Sequence, residues 1–337
     1  NYKLTFEPDL KKFTFDGLES ISINCKKSVN IITMNCAELK IKSCIVKSGK
    51  KIIKSTPKIN EKTEELQIKL GEKIRGLCTV DLEFKGILND RLLGFYRSKY
   101  QQNGKTKYLA TTQFEAADAR RAFPCWDEPE AKATFEISII ADNKFTAISN
   151  MPIKTKKKIG NKITYNFQKT PLVSTYLIYL GVGEFEYLTG KAGKIQIRVV
   201  TTKGNTSKGK FSLELGKKLL TSYEKYFGIK FPLPKLDLIA VPDFAAGAME
   251  NWGAITFRET ILLYDPKTSS TRTKQFIAEV ISHEIAHMWF GNLVTMKWWN
   301  DLWLNESFAT FMATKFVDKF YPEWDLWNQF VEDAMNV

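Results

Sequence analysis

TRTKQFIAEVISHEIAHMWFG, residues 271–291, is the stretch from which the reading of this chain proceeds. Phe276, Ile277, Val280, Ile281, Ile285, Met288 and Trp289 recur at spacings of three and four, which predicts an amphipathic helix. Gly291 follows as the expected C-cap. Inside the stretch, Ser282-His283-Glu284-Ile285-Ala286-His287 carries both histidines of a 337-residue chain. Four residues of α-helix turn through about 400° and rise about 6 Å, so the two imidazoles face the same way. That geometry can give one metal ion two nitrogen ligands, with Glu284 placed to polarise a water. The plain alternative, two core or surface histidines on a helix, is weakened by the rarity of histidine here and by the strength of the helical pattern.

A catalytic zinc takes three protein ligands and keeps one position open. There is no third histidine, and Cys125, the last of five cysteines, is far upstream. A downstream carboxylate is therefore expected. Glu306 stands in a second helical pattern, LNESFATFMATKFVDKF, with eighteen residues between His287 and itself, among Trp303, Leu304, Phe308, Phe311 and Met312. A carboxylate among such neighbours is costly unless paired or metal-bound. Asp301 competes, although an N-cap role suits it better. Thr310, one turn past Glu306, is a candidate hydrogen-bond partner for a ligand. Trp298, Trp299 and Trp303 read as core between helices.

Upstream, Gly247-Ala248-Met249-Glu250-Asn251 precedes a strand-like AITF. Two small residues let a peptide backbone approach, and the edge could pair with an extended substrate whose cationic terminus meets Glu250. A glycine turn with a solvated glutamate explains the spacing equally well. Arg258 and Glu259 beyond it are expected to form a structural ion pair.

HEIAH, eighteen residues, then Glu306, preceded by Gly247 to Asn251, resembles the gluzincin aminopeptidase family. The resemblance continues through TQFE at Thr112–Glu115, DARRAFPCWDEP at Asp118–Pro129 and SNMP at Ser149–Pro152. It implies a zinc-dependent aminopeptidase that releases N-terminal amino acids from peptides by metal-activated water attack, with one zinc per chain. By position it implies His283, His287 and Glu306 as zinc ligands and Glu284 as the general base. Glu250 and Glu115 match carboxylates that bind a free α-amine, Gln113 and Met249 flank the first side-chain pocket, and Gly247 and Ala248 make backbone contacts. The substrates implied are peptides with a free N-terminus. A blocked amine would leave such acids buried and unpaired, a strong discrimination. The family also supplies an oxyanion-stabilising tyrosine farther along than this sequence runs, since Tyr321 follows Glu306 too closely. Such a donor is worth roughly 3–4 kcal/mol of barrier. The expectation is an N-terminal fragment that binds zinc but turns over poorly alone. Alternatives are a catalytically inactive peptide-binding module and epoxide hydrolysis on the same site.

The fold class expected is α+β. LTFEP, KFTFDG, SISINC, NIITMNC, LKIKSCIV, EELQIKL, CTVDLEF and later runs predict an N-terminal all-β sandwich or saddle-like domain over residues 1–187. Gly190 to Lys194 offers a hinge. IQIRVV and LDLIAVP predict strands, GKFSLELGKKLLTSYEKYFG a helix, and three helical stretches follow, the last being EWDLWNQFVEDAMNV. With the resemblance, residues 188–337 are expected to be a thermolysin-like α/β catalytic domain, truncated at its C-terminal end.

The net charge of +13 is uneven. Residues 1–187 hold 32 basic and 21 acidic side chains, whereas 250–337 hold 7 and 12. An acidic catalytic end suits a cationic peptide terminus. Lys154, Lys156, Lys157 and Lys158 cluster before Gly160, expected as a solvated hairpin loop. Without interleaved aromatics it gives no reason to invoke nucleic acid. Asp118, Arg120, Arg121, Asp127 and Glu128 are expected to form internal salt bridges. No apolar run reaches the ~18 residues of a membrane span. Five cysteines without framework spacing predict a reducing, cytoplasmic setting.

Overall fold

The computed structural model describes residues 1–335. The chain is α+β and separates into two compact units, one of residues 1–99 and 106–183, the other of 100–105 and 184–337.

Thirteen strands lie wholly or, for β7 and β8, mostly in the first unit: β1 (Tyr2–Asp9), β2 (Thr14–Asn35), β3 (Lys40–Ser48), β4 (Lys51–Ile53), β5 (Ser55–Asn60), β6 (Glu65–Ile87), β7 (Gly94–Gln102), β8 (Lys105–Gln113), β9 (Phe135–Asp142), β10 (Thr146–Ser149), β11 (Ile153–Ile159), β12 (Lys162–Phe167) and β13 (Leu180–Gly183). Nine form one sheet, ordered β11-β12-β9-β1-β2-β6-β3-β4 with β5 on β6, and four form a second, ordered β10-β13-β8-β7. Alternation drives them together. Phe6, Phe15 and Phe84 point inward from the large sheet, and Phe95 of β7 meets Phe6 and Phe15 at 5.9 and 5.1 Å between ring centroids. Two glycines make room for these rings. Gly17 lies opposite Phe84 and Gly86 opposite Phe15, and a Cβ on either glycine would come within 2.2 Å of the facing ring.

The arginines of the 118–128 segment are tied as expected. Arg120 pairs with Asp127 and Glu64, and Arg121 with Asp118, Glu38 and Glu64, while Glu128 stays exposed. The lysine cluster is a correction. Lys154 to Lys158 lie on β11, the edge strand, and only Gly160-Asn161 form the turn. Charged side chains on an edge discourage further strand pairing, which explains a strand where composition suggested a loop.

The second unit carries one five-stranded sheet, β14 (Phe185–Ala192), β15 (Ile195–Thr202), β16 (Lys235–Val241), β18 (Ala254–Arg258) and β17 (Ala248–Met249), in that order. The three middle strands are parallel, with an antiparallel strand at each edge. The expected hinge at Gly190 to Lys194 is instead the hairpin joining β14 to β15, turning at Gly193 with φ of 57°. Helix α1 (Lys210–Phe227) follows β15 and ends at Gly228 in the left-handed region. Helices α2 (Thr271–Ala286), α3 (Trp303–Phe320) and α4 (Leu326–Met335) complete the unit; the last two residues of the EWDLWNQFVEDAMNV stretch lie outside the described residues. Tyr223 of α1 joins α2 and α3, its hydroxyl lying 3.0 Å from the Ser282 carbonyl and 3.2 Å from that of Met312. Two tryptophans depart from the core reading: Trp298 is 50% exposed and Trp303 63%. Both belong to the run entering α3, whose buried face is formed instead by Ala309, Met312, Ala313, Phe316 and Val317.

Candidate active site

Helix α2 begins where Ser270 caps it, the Ser270 hydroxyl accepting from the Thr273 amide at 3.1 Å. One face of the helix is buried through Ile277, Ala278, Ile281 and Ile285, and that burial sets the rotation of His283, Glu284 and His287. The helix ends at Ala286, with His287 itself at the C-cap. Gly291 is thus no simple C-cap. It has φ of 129°, and a Cβ there would stand 3.1 Å from His287 Nδ1. The glycine is required by its closeness to the imidazole as much as by its backbone.

His283 Nε2 and His287 Nε2 are 2.9 Å apart. Glu306, in the first turn of α3, places Oε2 3.2 Å from His283 Nε2 and Oε1 3.7 Å from His287 Nε2. Ligands at zinc-like bond lengths of about 2.0–2.1 Å around a tetrahedral ion lie about 3.3 Å from one another. The donor set therefore fits a small tetrahedral ion. The outer nitrogens are also held. His287 Nδ1 lies 3.0 Å from the Phe290 carbonyl, to which it is placed to donate, leaving Nε2 as the lone-pair nitrogen. His283 Nδ1 lies 3.3 Å from Thr310 Oγ1. Burial and the neighbouring His283 push the pKa of His287 down to about 4, so the ring is neutral near pH 7. Burial raises the Glu306 carboxyl, but the hydrogen bond with His283 and the field of the two rings outweigh it and hold Glu306 below its ordinary value.

Glu250, Glu284 and His287 converge in the same way, with one ligand-type atom of each within 4.8 Å of the others. Asp301 is in no such cluster among the described residues. Nor does it cap α3, because a 3-10 turn (Trp299–Asp301) runs directly into the helix through Leu302, itself in the αR region.

Glu250 directly follows β17, the short edge strand of Ala248 and Met249. Gly247 accepts from the Arg258 amide, and Ala248 and Met249 face Phe257 and Thr256 across the ladder. One side of that edge is paired with β18 and the other borders no strand among the described residues. The expected Arg258–Glu259 ion pair does not form. Arg258 donates to the carbonyls of Phe244 and Ala245, bracing the loop before β17. Gln113, at the end of β8, and Glu115, two residues on, lie in the first unit, both part-buried.

Two buried side chains near the site were not apparent from spacing. Asn292 donates to the Glu250 carbonyl at 2.9 Å. Lys235 donates from Nζ to the Gly253 carbonyl and to Asp237, each at 2.7 Å. Asp237 also receives Arg198 in a two-pronged contact, both bonds at 2.6 Å. Burial raises Asp237, yet Lys235 and Arg198 together hold it below its ordinary value. Lys235, the second cation on one anion, is pushed down to about 8 by burial. A lysine followed two residues on by aspartate, at the start of an apolar strand, was the only signal in the sequence.

Comparison with known proteins bears on this arrangement. Residues 1–177 match the Peptidase M1 N-terminal domain, and residues 211–337 match the Peptidase family M1 domain. The chain is 44% identical to Aminopeptidase M1 of Arabidopsis thaliana, over 99% of this chain and 39% of that protein. It is 44% identical to Aminopeptidase 2, mitochondrial, of Saccharomyces cerevisiae and 43% identical to Puromycin-sensitive aminopeptidase of Caenorhabditis elegans, over 99% of this chain and 36% of each relative. The chain thus spans less than two fifths of the length of these relatives. With both domain types matched in chain order, and the second spanning the two helices that bear His283, His287 and Glu306, the chain belongs to peptidase family M1.

Proposed function

We propose that the protein containing this chain is a zinc-dependent aminopeptidase acting on peptides with a free N-terminus, with one zinc per chain. The observation that carries this reading is the convergence of His283, His287 and Glu306 beside Glu284 and Glu250. His283, His287 and Glu306 would hold the ion. Bound there, zinc supplies Lewis-acid chemistry and lowers the pKa of water towards neutrality. Glu284 accepts the proton of the attacking water and returns it to the departing amine. Glu250 receives the substrate ammonium, while Gly247 and Ala248 offer backbone groups along the sheet edge and Met249 borders the first side chain. Glu115, as a second amine-binding acid, and Gln113, beside the pocket, rest on the family resemblance. The five cysteines are free thiols, which supports a cytoplasmic setting. No helix among the described residues is long and apolar enough to cross a membrane.

The test uses the complete protein. His283→Ala should lose metal and turnover of an aminoacyl-arylamide together. Glu284→Gln should keep its metal while kcat falls by about 10²–10⁴. Full turnover without metal, or by Glu284→Gln, would overturn the assignment.

A further inference from the structure

The segment from Glu250 to Gly253 turns sharply, the Ala254 amide donating to the Asn251 carbonyl at 2.9 Å. Its two ends are held by buried side chains from different elements. At the front, Asn292 Nδ2 donates to the Glu250 carbonyl. Asn292 is fully buried, and its own amide donates to the His287 carbonyl at 3.0 Å. Two hydrogen bonds in series therefore join His287 to Glu250. At the rear, the Gly253 carbonyl accepts from Lys235 Nζ at 2.7 Å and from the Asp237 amide at 3.1 Å. Lys235 is in turn held by Asp237, which Arg198 grips from β15. The loop bearing Glu250 thus has its front carbonyl referenced to the helix of His283 and His287 and its rear carbonyl to the centre of the sheet.

We propose that Asn292 is a positioning residue, with Lys235 as its counterpart, that sets the distance between the Glu250 carboxylate and the His283–His287 locus. This rests on the functional reading above and adds to it a determinant of register. If Glu250 holds the substrate amine, its spacing from the metal locus decides that cleavage falls one residue from the terminus. A group fixed to within a fraction of an ångström does this, and a loop free to shift does not. Asn292→Leu keeps the branching at Cγ and the number of heavy atoms, adds methyl bulk, and deletes the donor. Lys235→Met deletes the donor at the rear anchor.

The experiment compares the unaltered complete protein with both variants. It measures metal content, the binding ratio of leucine amide to N-acetyl-leucine amide on metal-free protein, and kcat and KM on a leucyl-arylamide. Asn292→Leu is expected to retain one metal per chain, to lose at least tenfold of its preference for the free amine, and to raise KM more than it lowers kcat. Lys235→Met should move the preference in the same direction by a smaller factor. An unchanged preference in a folded, metal-replete Asn292→Leu overturns the proposal, even if turnover or thermal stability falls. Should Asn292→Leu not fold, Lys235→Met decides alone, and an unchanged preference there is equally fatal. If the unaltered protein binds no metal or cleaves no aminoacyl substrate, the functional reading fails and takes this inference with it. If it does both and the variants keep their preference, this inference alone fails.

Discussion

Glu19 in the first unit and Asp237 in the second are both buried acids on β-strands, and their surroundings treat them oppositely. Glu19 is 3% exposed on β2, flanked in register by Leu4 and Leu82, and neither carboxyl oxygen has a hydrogen-bond partner among the described residues. Burial alone pushes its pKa well above the ordinary carboxylate value. Asp237 is wholly buried too, but Arg198 and Lys235 hold it ionised. Glu306 follows Asp237, with two imidazoles outweighing the cost of burial. Burial neutralises an acid unless partners converge on it, and that convergence is where this chain concentrates its candidate chemistry.

The contrast is open to experiment, and the largest effect is expected at Asp237. Asp237→Ala leaves Arg198 and Lys235 facing each other without an anion and should destabilise the second unit by about 3–5 kcal/mol, read from denaturant unfolding. A loss below 1 kcal/mol would mean that this acid is no more committed to its partners than Glu19. Next is Glu19→Met, expected to stabilise the first unit by about 1–3 kcal/mol at pH 7. The sign follows from proton linkage. The folded pKa is raised, so above the unfolded value of 4.5 the native state holds a proton that the unfolded chain releases. Stability then falls as pH rises, by at most about 1.4 kcal/mol per pH unit, until the folded pKa is reached. The advantage of the variant should therefore widen from pH 4.5 upward, and a difference independent of pH would show Glu19 to be ionised in the fold. The smallest effect is expected at Thr310, which touches the site through His283 Nδ1. Thr310→Val should weaken zinc binding by about tenfold, measured by competition with a chelator, while the fold is kept. Unchanged affinity would restrict the supporting partners of the two rings to Phe290.

Much of this was legible along the chain. The α2 helix announced itself by period, because a buried face needs apolar residues every three or four positions. The β unit announced itself by alternation between turns. Errors arose where one composition serves two structures. Lys154 to Lys158 are as suited to an edge strand as to a loop. Trp298 and Trp303 read as core by type, yet the rotation of α3 is set by the face that includes Ala309, Met312 and Phe316. The Arg258–Glu259 pair looked natural between sequence neighbours, but the guanidinium reaches back to carbonyls 13 and 14 residues away.

By itself the sequence determined the helix bearing His283, Glu284 and His287, the order of β-rich and helical regions, and a short set of acids able to join the two rings. Those depend on local period, on composition and on residue type. The sequence already favoured Glu306 over Asp301, but only the folded chain set the distances from Glu306 to the imidazoles and showed that Asn292 and Lys235 grip the carbonyls of Glu250 and Gly253. Such contacts join residues 18 to 42 positions apart, and no repeat in the sequence encodes the direction in which a side chain will meet a distant backbone.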